Sequence, residues 1–180
     1  MPKQKQAEGE CIVDLRKDQY KFQYVFVADL DAVFGPGGRG SGVCGLAAAR
    51  AALGLKTSLI GVVSEHAPAY QLSFRQGEFI EQPSTTRVAE GVACKTPNRD
   101  ALEHIRAHAH DVVTVNDDEA IDGVAELLRC THQLAEGAGA LSWAALKKHR
   151  EAWQGKRGAL ILCAGNPSTA ASWSTSEKDS

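Results

Sequence analysis

Glycine is concentrated where this sequence could do chemistry. Residues 35–45 read GPGGRGSGVCG and include Gly38, Gly40, Gly42 and Gly45. A β-branched and aromatic run at 32–34 leads into them, and an apolar, alanine-rich stretch at 43–53 follows, closed by Gly54. That order predicts strand, turn and helix. The first N–H groups of such a helix lack internal partners and the helix dipole is positive there, so the junction favours an anion. Glycines also let the backbone approach a ligand closely, and a phosphate is the natural guest. Three readings stand at this point. Gly40, Gly42 and Gly45 satisfy G-x-G-x-x-G, and Glu65 ends the next apolar run, where a dinucleotide fold places its ribose-binding acid. A smaller phosphate-bearing cofactor needs no such acid. A turn used only for tight strand–helix packing needs no ligand at all.

Other reactive side chains are less organised. The five cysteines, Cys11, Cys44, Cys94, Cys130 and Cys163, are odd in number and contain no C-x-x-C pair, which argues against a disulfide or zinc framework. Most of them read as small buried hydrophobes. His104 and His108 have a chelating spacing, with His110 nearby, but without a third ligand they read as a solvated helix face. Taken alone, Glu136 is an acid at a helix start, where the dipole welcomes it. Cys163, likewise taken alone, is a buried thiol at a strand end.

The elements that must position these residues belong to an ordinary globular chain. With 180 residues, 43% hydrophobic and 23% charged, one core is expected. A net charge of −2 gives no basic footprint for nucleic acid. No apolar run is long enough for a membrane helix, and the amino end lacks the apolar stretch of a signal peptide, so a cytoplasmic protein is expected. Residues 1–29 are poorly defined by pattern, with strand composition only at 20–27, and residues 169–180 read as a disordered tail. Between them, residues 30–168 alternate strands and helices. Strands are expected at 57–63, 111–115 and 157–163, and helices at 68–76, from Pro97, after Asn116, and at 136–149. Asn116 and Glu119 have the spacing of a capping box, and Ile121, Val124, Ala125, Leu127 and Leu128 recur at helical spacing behind them. The alternation argues for an α/β sandwich with a mainly parallel sheet, in which ligands gather beyond the carboxyl ends of the strands.

Several motifs occur together in register: PGGRGSGVCG, IGVVSEHAPAYQLSF, VAEGVACKTP, LAEGAGALSWAAL and ILCAGN. In this order they resemble threonine and serine dehydratases, pyridoxal-phosphate enzymes of the fold type that includes tryptophan synthase β. The resemblance spans residues 30–167 and corresponds to the carboxyl-terminal half of the catalytic domain. It implies a three-layer α/β sandwich with a mainly parallel twisted sheet, truncated relative to the whole family. It implies an ammonia-lyase that converts threonine or serine by β-elimination to a 2-oxo acid and ammonia.

Carried over by position, the resemblance puts the cofactor phosphate on Gly38, Arg39, Gly40 and Ser41, with Gly42 closing the loop. Arg39 departs from the commonest all-glycine form and either adds a charge-assisted phosphate contact or points to solvent. Gly91 falls beside the cofactor, with Glu90 in place of the usual aspartate, and Glu136 falls near the substrate and the cofactor ring. Cys163 matches the residue that meets the pyridine nitrogen; a neutral partner there leaves the ring a weaker electron sink. Val63 and Ala69 occupy positions where some members hold a divalent cation, so no metal is expected. The Ser-x-Lys-x-Arg-Gly segment with the Schiff-base lysine does not occur; Lys17, Lys21 and Lys156 lie in unrelated contexts. No catalytic residue is therefore assigned, and the isolated chain is expected to be inactive and to pair with itself or with a complementing amino-terminal half. The alternative is a noncatalytic phosphate-ligand or dinucleotide-binding module.

Overall fold

The computed structural model describes residues 8–15, 18–25 and 30–162. The tail expected at 169–180 lies outside these residues. The chain divides into two compact units, Met1–Leu30 and Asp31–Ser180. In the first, β1 (Glu8–Leu15) and β2 (Asp18–Val25) form an antiparallel hairpin, with Glu8 opposite Val25 and Leu15 opposite Asp18. The polar residues Asp18 and Gln19, which carry no strand signal in the sequence, are part of this ladder. Backbone pairing with a neighbouring strand overrides their weak β-propensity.

The second unit contains β3 (Ala32–Pro36), α1 (Ser41–Ala52), β4 (Ser58–Ser64), α2 (Ala69–Gln76), α3 (Arg99–His108), β5 (Asp111–Val115), α4 (Asp117–Thr131), α5 (Gly137–Lys148) and β6 (Gly158–Leu160). Its four strands lie in the order β5-β4-β3-β6, and every pairing is parallel. The strands are almost continuously apolar because helices cover both faces. On one face Phe34, Ile60, Val62 and Val113 pack with Ala138, Leu141 and Ala144 of α5. On the other, Val63 and Val112 pack with Val43 of α1, Tyr70 of α2, and Leu102 and Ile105 of α3. The result is the three-layer α/β sandwich expected from the sequence. The small residues of α5 allow close helix packing; a Cβ on Gly123 of α4 would lie 3.5 Å from that of Ala140. Leu141 is fully buried in this layer, and its truncation to alanine should cost about 2–5 kcal/mol.

Local chemistry sets the element ends. Gly54 and Gly77, at φ 62° and 75°, stop α1 and α2 where left-handed residues are required. The Asn116–Glu119 capping box forms in both directions, at 2.8 and 2.9 Å. Helix α3, however, begins at Arg99 rather than at Pro97. The Asn98 side chain accepts from the Ala101 N–H at 2.9 Å, a cap that proline cannot supply, and this moves the start by two residues. The buried stripe of α4 is also displaced: Ala120, Gly123, Val124 and Leu127 face inward, whereas Ile121 and Leu128 are exposed. Strand β6 is shorter than the run at 157–163 suggests, with Ile161 adding one further bond to Phe34 O. No described helix is long and apolar enough to cross a membrane.

Candidate active site

The glycine turn begins where β3 leaves the sheet. Gly37 N still donates to Val62 O at 2.7 Å, and the first helical bond of α1 runs from Cys44 N to Gly40 O. Between these points the chain makes its turn, with Gly40 at φ 88°, a conformation glycine adopts without penalty. A Cβ on Gly38 would lie 2.5 Å from Gly91 O, so this approach of two backbones requires glycine. No side chain caps α1, and no acidic residue stands in its first turn. The N–H groups of Ser41, Gly42 and Val43 therefore lack intrahelical acceptors.

A second segment closes against the turn. Asp117 accepts from Thr86 Oγ1 at 2.6 Å and from Arg87 N at 2.9 Å, and Thr86 Oγ1 in turn accepts from Ala89 N. These bonds fix the loop that delivers the short 3-10 turn Glu90–Val92 to the site. Helix α5 starts beside it, with Gly137 pressed against Val88 O. Glu136 occupies the cap position of α5 without capping it, and its Oε1 lies 3.4 Å from where a Gly91 Cβ would be. The sequence pattern thus brings Gly38, Gly91 and Glu136 together from three separate elements.

Gly38, Arg39, Glu90, Gly91, Cys94 and Lys95 line a cleft of about 590 Å³ that extends to Thr96 and Asn98. Gly40 is buried and does not line it. Ser41 and Gly42, in the first turn of α1, do not line it; Ser41 is exposed there. Arg39 is exposed, yet its charge acts on the Cys94 thiol. Burial pushes that thiol up, and its bond to Thr96 O and the Arg39 charge pull the other way. Cys163 lies outside the described residues. Val63 and Ala69 are buried packing residues. The rings of His104 and His108 pack with centroids 4.4 Å apart. Among the described residues, no three potential metal ligands come together.

Sequence reasoning missed Cys94, Lys95, Thr96 and Asn98 as cleft residues, and Tyr70 as a neighbour of the turn. The signal at Asn98 was present, since asparagine is a strong helix cap, but Pro97 beside it carries a competing start signal. Tyr70 had no local signal, because its partners lie far away in the chain.

The chain belongs to the family of pyridoxal-phosphate dependent enzymes, whose pattern it matches over residues 15–165. Within that family it is 30% identical over 138 residues to an L-threonine ammonia-lyase of Thermotoga maritima, covering 77% of this chain and 34% of that protein. It is 29% identical over 167 residues to the catabolic L-threonine dehydratase TdcB of Escherichia coli K12, covering 92% of this chain and 48% of the other. The fold superposes on the crystal structure of a threonine deaminase from T.th. with a TM-score of 0.70 and 31% identity, over 76% of this chain and 50% of that one. The chain thus spans about a third to a half of the length of these relatives. The family's cofactor is pyridoxal phosphate, not a dinucleotide.

The residues present fit a phosphate-bearing cofactor. The turn at Gly38 and Gly40 has no room for side chains, α1 opens with uncapped N–H groups, and the cleft beside it is polar.

Proposed function

We propose that this chain provides the cofactor-phosphate half of a threonine or serine dehydratase site, that of an ammonia-lyase yielding a 2-oxo acid and ammonia. The observation that carries this is the close approach of Gly38, Gly91 and Glu136 just ahead of the uncapped start of α1. When bound, pyridoxal phosphate supplies the electron sink that allows β-elimination. The N–H groups at Gly38, Gly40, Ser41 and Gly42 hold the phosphate, and Arg39 adds a charge-assisted contact. Gly91 would leave space for the ring, Glu136 would stand near it, and Cys163 would meet the ring nitrogen, as the resemblance implies. The lysine and the groups that grip the substrate carboxylate come from the remaining length of the relatives, on this polypeptide or a complementing one. The free cysteines Cys44, Cys94 and Cys130 suit a reducing compartment, and we place the protein in the cytoplasm.

The test is to add pyridoxal phosphate with L-threonine or L-serine to the purified 180-residue chain and to measure cofactor binding and keto-acid release. Binding without turnover is expected, because no Ser-x-Lys-x-Arg-Gly segment is present. Clear turnover would refute the assignment of the missing chemistry to other residues. Failure to bind the cofactor would refute the site.

A further inference from the structure

Tyr70 of α2 is 3% exposed, and its hydroxyl serves two walls of the cleft at once. It donates to Arg39 O at 2.7 Å and accepts from Asn98 N at 3.0 Å. Arg39 and Asn98 both line the cleft. A Cβ on Gly40 would lie 3.1 Å from the same oxygen, so the phenol packs against the turn as well as bonding to it.

The direction of the first bond matters. In a trans peptide the carbonyl and the following N–H point to opposite sides. Holding Arg39 O against the buried phenol therefore turns the Gly40 N–H the other way. A flipped peptide would instead aim a carbonyl oxygen outward, repelling an anion. Burial raises the pKa of Tyr70, with the Asn98 N–H pulling the other way.

We propose that Tyr70 is a positioning residue for cofactor binding: its hydroxyl fixes the Arg39–Gly40 peptide so that N–H groups, not a carbonyl, face the cofactor phosphate. This rests on the phosphate-site reading above and adds a residue to it. No local sequence motif marks the role, because the hydroxyl acts only through the backbone of another element.

The experiment compares pyridoxal 5′-phosphate with pyridoxal, which lacks the phosphate, in the parent chain and in Tyr70→Phe. The variant keeps the ring and loses both bonds. Its affinity for the phosphorylated ligand should fall about tenfold, with pyridoxal affinity unchanged. Unaltered affinity for both, or equal weakening of both, overturns the inference. A parent chain that does not prefer the phosphorylated ligand sinks the phosphate-site reading and this inference with it, a result distinct from failure of the variant alone. Should Tyr70→Phe not fold, the parent still decides. Its Gly40 amide resonance must move when pyridoxal phosphate is added, and an unmoved Gly40 overturns the proposal.

Discussion

Helices α1 and α4 both begin where a parallel strand ends, and their first turns are built in opposite ways. Helix α4 satisfies itself: Asn116 and Glu119 cap each other's N–H groups, and Asp117, Asp118 and Glu119 place negative charge against the dipole. Helix α1 starts from Gly40, without a side-chain cap and without an acid. The start of α5 is also uncapped, and its Glu136 leans over Gly91 instead. A helix start that completes its own bonding stabilises the fold and has nothing left for a ligand. One left open gives up that stabilisation and retains an electropositive, hydrogen-bonding mouth. Both of these open starts lie beside the cleft.

The comparison breaks most severely if glycine is removed from the open start. Gly38→Val would drive a side chain into Gly91 O, and pyridoxal phosphate binding by spectral titration should be lost, with about 1–3 kcal/mol of stability. Giving α1 what α4 has is more selective. Ser41→Asp should weaken pyridoxal phosphate binding about tenfold while leaving stability equal or higher by about 0.3–1 kcal/mol, because the new carboxylate takes the anion's place. The converse change, Asn116→Ala, should cost about 1 kcal/mol in denaturant unfolding and leave cofactor affinity within about twofold. Smallest is the acid response. Burial pushes the Glu119 carboxyl up, but the Asn116 N–H and Lys148 outweigh it and hold its pKa below the usual carboxylate range. A carboxylate depressed on folding contributes stability above its unfolded pKa and loses it as pH falls through the folded one. Thermal melts should therefore show a decline from about pH 5 downward that Glu119→Gln reduces.

Much of this contrast was legible in the sequence. The Asn116–Glu119 spacing and the glycine turn are local patterns, and local patterns survive folding. The parallel sheet also follows from apolar runs such as SLIGVVS, which only a strand covered on both faces would carry. What lay hidden was long-range. That Gly38 touches Gly91, that Asp117 anchors Thr86, and that Tyr70 reaches Arg39 depend on the packing of distant segments. Competing local signals produced the errors. Pro97 resembled a helix start until the Asn98 side chain proved the better cap. At Asp18 and Gln19 the sequence carried no pattern either way, and a partner strand supplied their bonds.

The most direct test is a crystal structure of the chain soaked with pyridoxal phosphate. The phosphate should sit within about 3 Å of backbone N–H groups among residues 38–42 at the open mouth of α1, with the ring toward Gly91 and Glu136. A phosphate bound elsewhere, with the α1 mouth filled by water alone, would contradict the account.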